Sequence, residues 1–97
     1  MGSQKQDLSV DLTASNRDAV LFGQRVRELR VARGITLTAL AERLGTSKSF
    51  LSNIENGKQA PGLTTILRIA RMLGCSVNDV MRAFDRKTLE EMFPEGE

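Results

Sequence analysis

Apolar residues recur along this chain at helical spacing. Between Leu37 and Glu55, Leu40, Ala41 and Leu44 form one stripe. Leu51 and Ile54 form a second, and Gly45 and Thr46 lie between them. This pattern predicts two short helices joined by a tight turn, the first capped by Thr36 and the second by Ser47 or Thr46. Ahead of them, Ser15 and Asp18 are spaced as a capping box. They open a predicted helix with Phe22, Val26 and Leu29 inward, running to about Arg33 and stopped by Gly34. Asn56-Gly57 and Pro61-Gly62 mark a loop over 56–62. Leu63, Ile66, Leu67, Ala70 and Leu73 then mark a fourth helix ended by Gly74. Ser76 with Asp79 opens a fifth, with Val77, Val80, Met81 and Phe84 inward. Residues 1–14 lack this period. Leu8, Val10 and Leu12 alternate with polar residues, but a lone strand has no partner in a helical domain, so disorder is expected there. The expected fold is all-α, a compact five-helix bundle over 18–84, with a flexible arm over 1–17 and a tail over 85–97. Leu89, Met92 and Phe93 make a last apolar stripe, either one more helical turn on the core or a dimerisation surface.

The helix opened by Ser47 has a buried back and a polar front. Ser47, Lys48, Ser49, Ser52 and Asn53 are small or hydrogen-bond capable and lie off the Leu51/Ile54 face. Such a helix is suited to being pressed against a polar surface. Charge sharpens this. The formal net charge is only +2, yet it is unevenly distributed: residues 20–60 sum to +4 and residues 85–97 to −3. A basic middle suits a polyanion, and an acidic end stays off it.

Composition removes several classes of chemistry. Histidine is absent and Cys75 is the single cysteine, so no Cys/His metal set or disulfide framework can be assembled. Cys75 reads as a small buried hydrophobe. Gly57-Lys58 lacks the upstream glycine and the following Ser or Thr of a phosphate-binding loop. The carboxylates read as caps (Asp18, Asp79) and surface. We therefore expect no enzyme, no cofactor and no metal. No apolar run reaches membrane-spanning length and no secretion signal leads the chain, so the cytoplasm is expected.

The stretch FGQRVRELRVARGITLTALAERLGTSKSFLSNIENGKQAPGLTTILRIARMLGCSVNDVM resembles the Cro/cI-type (XRE-type) helix-turn-helix domain, lambda-repressor-like, of bacterial and phage transcription regulators. The likeness covers about residues 20–84 and includes R-x-x-R-G, the central turn, I-E-N-G-K and L-G-C-S-x-x-D in family order. The resemblance implies a double-stranded DNA partner, with the helix after the turn in the major groove. Ser47, Lys48, Ser49 and Asn53, with Ser52 beside them, would then face base edges. Lys48 can donate to guanine and Asn53 can pair bidentately with adenine. Phe50 either covers the core edge or touches a sugar or thymine methyl.

Phosphate contacts are implied for Thr38 and Arg43 and for the loop Asn56, Gly57, Lys58 and Gln59. Leu37 stands where the family usually has a backbone-gripping Gln, so that contact is either lost or taken over by Thr36 or Thr38, and Leu37 itself packs or faces a partner. Gly62 stands where the family prefers a Ser cap. Arg30 and Glu55 match positions that form a structural ion pair in the family. A single recognition helix reads few base pairs, so a homodimer on a pseudo-palindromic operator is expected, acting most simply as a repressor. Its surface would be the fifth helix with the tail (Met81, Phe84, Leu89, Met92, Phe93), or else the N-terminal arm. The alternative function is an antitoxin or protein-partner module of the same fold, binding through arm or tail, with DNA binding secondary.

Overall fold

The computed structural model describes the backbone of residues 2–95 and side chains from Arg17 to Glu95. The described residues form six helices: α1 (Gly2–Ala32), α2 (Leu37–Leu44), α3 (Lys48–Glu55), α4 (Leu63–Leu73), α5 (Val77–Val80) and α6 (Arg86–Met92). The class is all-α, as expected, but with one helix more than the five read from the sequence. The fifth helix closes after one turn, where Met81 N–H bonds to Val77 and Phe84 N–H to Met81. Asp85 then starts α6 by accepting from the Thr88 amide at 2.8 Å.

Two further expectations are corrected. Ser15–Asp18 does not open α1, which is continuous from Gly2, so the strand weighed for residues 8–12 is replaced by helix. Among the described residues nothing donates to Asp18 Oδ1, which is buried. The disorder expected of residues 1–14 likewise gives way to helix from Gly2, while the side chains up to Asn16 lie outside the described residues. On α4, Leu63 and Leu67 are exposed and Ile69 is fully buried. Ile66, Ile69, Ala70 and Leu73 fall at i, i+3, i+4 and i+7 and therefore share the inward face. Leu63 precedes that face by a turn and Leu67 flanks it.

The core joins Phe22, Val26 and Leu29 of α1 to Leu40, Ala41 and Leu44 of α2 and to Leu51 and Ile54 of α3. Ile69, Ala70 and Leu73 of α4 and Val80 of α5 close it. Long α1 is the spine against which α3, α4 and α5 pack. Its closest approach to α3 is at Gly23, where a Cβ would collide with the carbonyl oxygen of Ile54 and come within 2.7 Å of that of Glu55. No side chain fits between these two backbones, so a glycine inside a helix is required there despite its helix propensity.

Candidate nucleic-acid interface

The two central helices are set by short-range signals. Thr36 Oγ1 accepts from the Ala39 amide at 3.0 Å and starts α2. Gly45 takes φ +70°, and its N–H closes the end of α2 on Ala41 and Glu42. Ser47 Oγ accepts from the Phe50 amide at 3.0 Å and starts α3. Leu51 and Ile54 are fully buried, which fixes the rotation of α3 about its axis. Lys48 and Ser49 are therefore exposed, and Ser52 and Asn53 half-buried. Ser47 remains exposed while its oxygen serves the cap. Ser52 Oγ accepts from Asn56 Nδ2 at 3.3 Å. Phe50 is half-buried and packs against the core.

The far end of α3 is tied to α1. Arg30 grips Glu55 with two nitrogens, Nε to Oε2 at 2.6 Å and Nη2 to Oε1 at 2.9 Å, while Nη1 donates to the Ile35 carbonyl at 2.8 Å. The side chains are 12% and 5% exposed, so this is a desolvated bidentate pair. The Glu55 carboxylate holds the Arg30 guanidinium above its ordinary pKa. One arginine thereby joins α1, the α1–α2 connection and the end of α3.

The residues implied in phosphate contact are placed unequally. Thr38 is exposed in the first turn of α2. Thr36 is exposed, but its oxygen is used as the cap. Arg43 is exposed and reaches toward α4, its Nη1 3.4 Å from the Met72 carbonyl. Lys58 and Gln59 are exposed. The loop's backbone amides, by contrast, are not free for a phosphate. The Asn56, Gly57 and Lys58 N–H groups are consumed at the end of α3, bonding to Ser52, Ile54 and Asn53 carbonyls at 2.9, 3.1 and 2.9 Å. A helix end must satisfy its last carbonyls, and this loop does so with its own donors. Gly57 is also buried, with φ +74° and a Cβ position 2.6 Å from Val20 Cγ2. Its role is to let the chain turn back under α1.

Sequence reasoning missed three positioning residues. Gly23 admits α3 to α1; an unbroken helical pattern running through a glycine was its signal. Arg68 donates from α4 to the Leu44 carbonyl at 2.7 Å, bracing the central turn. Arg25 Nε donates to the Asp79 carbonyl at 2.8 Å, tying α1 to α5. Neither arginine differs in local pattern from a solvated one. Cys75 is half-buried, and burial raises its thiol pKa, which lowers its thiolate fraction. Among the described residues no group of side chains could hold a metal ion, and no helix is long and apolar enough to cross a membrane.

A capped helix pair with a left-handed glycine turn, a buried back and an exposed polar front defines a helix-turn-helix domain. The model of the helix-turn-helix family HTH_3 matches residues 26–80, and the chain belongs to that family. Over 66 residues it is 33% identical to the HTH-type transcriptional regulator SinR of Bacillus licheniformis, covering 67% of this chain and 60% of that protein's length. The ImmF control region 10 kDa protein of Bacillus phage phi105 is 31% identical over 74 residues, which make up 76% of this chain and 81% of that one. The crystal structure of the restriction-modification controller protein C.AhdI from Aeromonas hydrophila superposes with a TM-score of 0.63 at 36% identity. That match covers 66% of this chain and 97% of the controller. These relatives are regulators and control-region proteins, not enzymes.

Proposed function

We propose that the protein is a sequence-specific DNA-binding transcriptional regulator. It acts as a homodimeric repressor on a pseudo-palindromic operator, with α3 in the major groove and the cytoplasm as its compartment. One observation carries this reading: α3 is immobilised from behind by Leu51, Ile54 and the Arg30–Glu55 pair, while Lys48, Ser49, Ser52 and Asn53 remain accessible in front. Reading base edges needs a rigid helix, because a donor displaced by an ångström loses its pairing geometry. Ser47 approaches the bases with its hydroxyl proton still available. Thr36, Thr38, Arg43, Lys58 and Gln59 supply backbone contacts. The amides of Leu37 and Thr38 lie in the first turn of α2, beyond the single amide its cap serves, and suit a phosphate oxygen. Asn56 contributes its side chain, and Gly57 only shapes the loop.

The test is a gel shift with DNA from upstream of the protein's own coding region, comparing wild type with Lys48→Ala/Asn53→Ala. Each lost base contact should cost about 1–3 kcal/mol, so the double variant, losing two, should bind at least about thirtyfold more weakly. Equal binding by both proteins across salt concentrations would overturn the reading.

A further inference from the structure

Beside the N-terminal end of α3, the central turn and α4 enclose a pocket of about 210 Å³. Leu44, Gly45, Thr46 and Phe50 line one side of it, and Thr65 and Arg68 the other. Thr46 directly precedes Ser47, so the pocket adjoins the stretch whose front faces bases in the reading above. Arg68 gives Nη2 to the Leu44 carbonyl at 2.7 Å, a bond that holds its guanidinium at the turn. A guanidinium carries five N–H donors, so four are left over from this bond. Arg68 is exposed, and among the described residues no carboxylate pairs with it. Thr46 and Thr65 add half-buried hydroxyls to the same pocket.

The chain around Arg68 does not supply a counter-charge. From Asn56 to Ser76 the only charged residues are Lys58, Arg68 and Arg71, and Glu42 on α2 is offset by the adjacent Arg43. A guanidinium held in one orientation, with most donors free and no anion opposite, is pre-organised for an oxyanion. Helix α2 is eight residues long, about 12 Å, so the pocket lies a helix length from the contacts placed at Thr36 and Thr38 and would take a different phosphate.

We propose that Arg68, with the hydroxyls of Thr46 and Thr65, binds a phosphate of the DNA backbone beside the N-terminal end of α3. This rests on the DNA-binding reading above and adds a backbone contact to it. The contact carries no base preference; it sets the register of α3 in the groove. Because the same guanidinium holds the Leu44 carbonyl, the phosphate and the turn that orients α3 are tied to one side chain.

Affinity as a function of salt tests this, with the full chain on its own upstream DNA and on an unrelated duplex of equal length. Arg68→Gln keeps a donor for the Leu44 carbonyl but removes the charge. It should weaken both duplexes alike, by about eightfold per half-site at 0.1 M salt, and make the slope of log affinity against log salt shallower by about 0.9 per half-site. Arg68→Lys should keep the wild-type slope. Thr65→Glu places a carboxylate in the pocket but also in the first turn of α4, where the helix dipole favours it. It should therefore weaken DNA binding without lowering the melting temperature, which separates phosphate contact from folding if Arg68→Gln proves unstable. Inorganic phosphate titrated into DNA-free protein should leave the Arg68 Nε resonance unshifted at millimolar concentration; saturation there, with DNA affinity unchanged in Arg68→Gln, would assign the pocket to a free anion and overturn the proposal. Wild type that binds DNA, with slope and affinity indifferent to Arg68→Gln and Thr65→Glu, overturns the Arg68 site alone. Wild type that binds neither duplex overturns the DNA-binding reading itself.

Discussion

Arg30 and Glu55 differ from the other charged pairs of the molecule in being removed from water. The exposed pairs Arg82–Asp79 and Arg86–Glu90 span one helical turn and contribute little, because water screens them. For the Arg30–Glu55 pair the larger effect is the penalty of breaking it. Arg30→Met leaves the Glu55 carboxylate 5% exposed without its partner and should destabilise the fold by about 3 kcal/mol or more in urea unfolding. Arg30→Met/Glu55→Leu should recover most of that loss, because no charge is stranded. DNA binding by the double variant should stay weaker than wild type, since the bridge from α1 to the end of α3 is gone. Full recovery of binding would show that core packing alone orients α3.

At the scale of elements, Gly23 decides how closely α3 lies on α1. Alanine is the better helix former by about 1 kcal/mol, so local propensity says that Gly23→Ala stabilises α1. The backbone carbonyls of Ile54 and Glu55 stand where its Cβ would go, and neither can move without displacing α3. Gly23→Ala should therefore destabilise by about 2–3 kcal/mol, read as a lowered midpoint in thermal unfolding. A neutral or stabilising result would contradict the packing described.

The start of α6 responds to pH. The amide and hydroxyl of Thr88 hold the Asp85 carboxyl below the usual carboxylate range. A depressed carboxylate contributes stability above its unfolded-state pKa and loses it as the pH falls through the folded value. α6 should therefore fray on acidification, seen as a shift of the Thr88 amide resonance. Asp85→Asn keeps a capping oxygen and should remove the pH dependence.

What was legible in the sequence divides along the same line. Thr36, Gly45, Ser47 and the Ser76–Asp79 box act within four residues, so their pattern alone places α2, α3 and the start of α5. The turn that separates α5 from α6 and the exposure of Leu63 depend on neighbours distant in the chain. The fate of the loop amides was hidden for another reason: Asn56-Gly57 marks a turn but does not say which carbonyls its donors will meet.

Over the whole molecule, charge follows the division of labour. The basic segment holds α2, α3 and most of the 56–62 loop, and the acidic end takes in α6 and the residues after it. Each phosphate neutralised contributes about −0.9 to the slope of log affinity against log salt. Lys58→Ala should make that slope shallower by about one unit per half-site and weaken all sequences alike. Lys48→Ala/Asn53→Ala should instead flatten the preference among sequences.

That contrast gives the most direct test of the central claim, that the front of α3 reads bases. Wild type and Lys48→Ala/Asn53→Ala are each used to select bound duplexes from a random pool, and the enriched sequences are compared. Wild type should enrich two related half-sites about one helical turn apart, and the double variant should lose or change the preferred bases within them. Enrichment of the same sequence by both proteins, or of none by wild type, would contradict it.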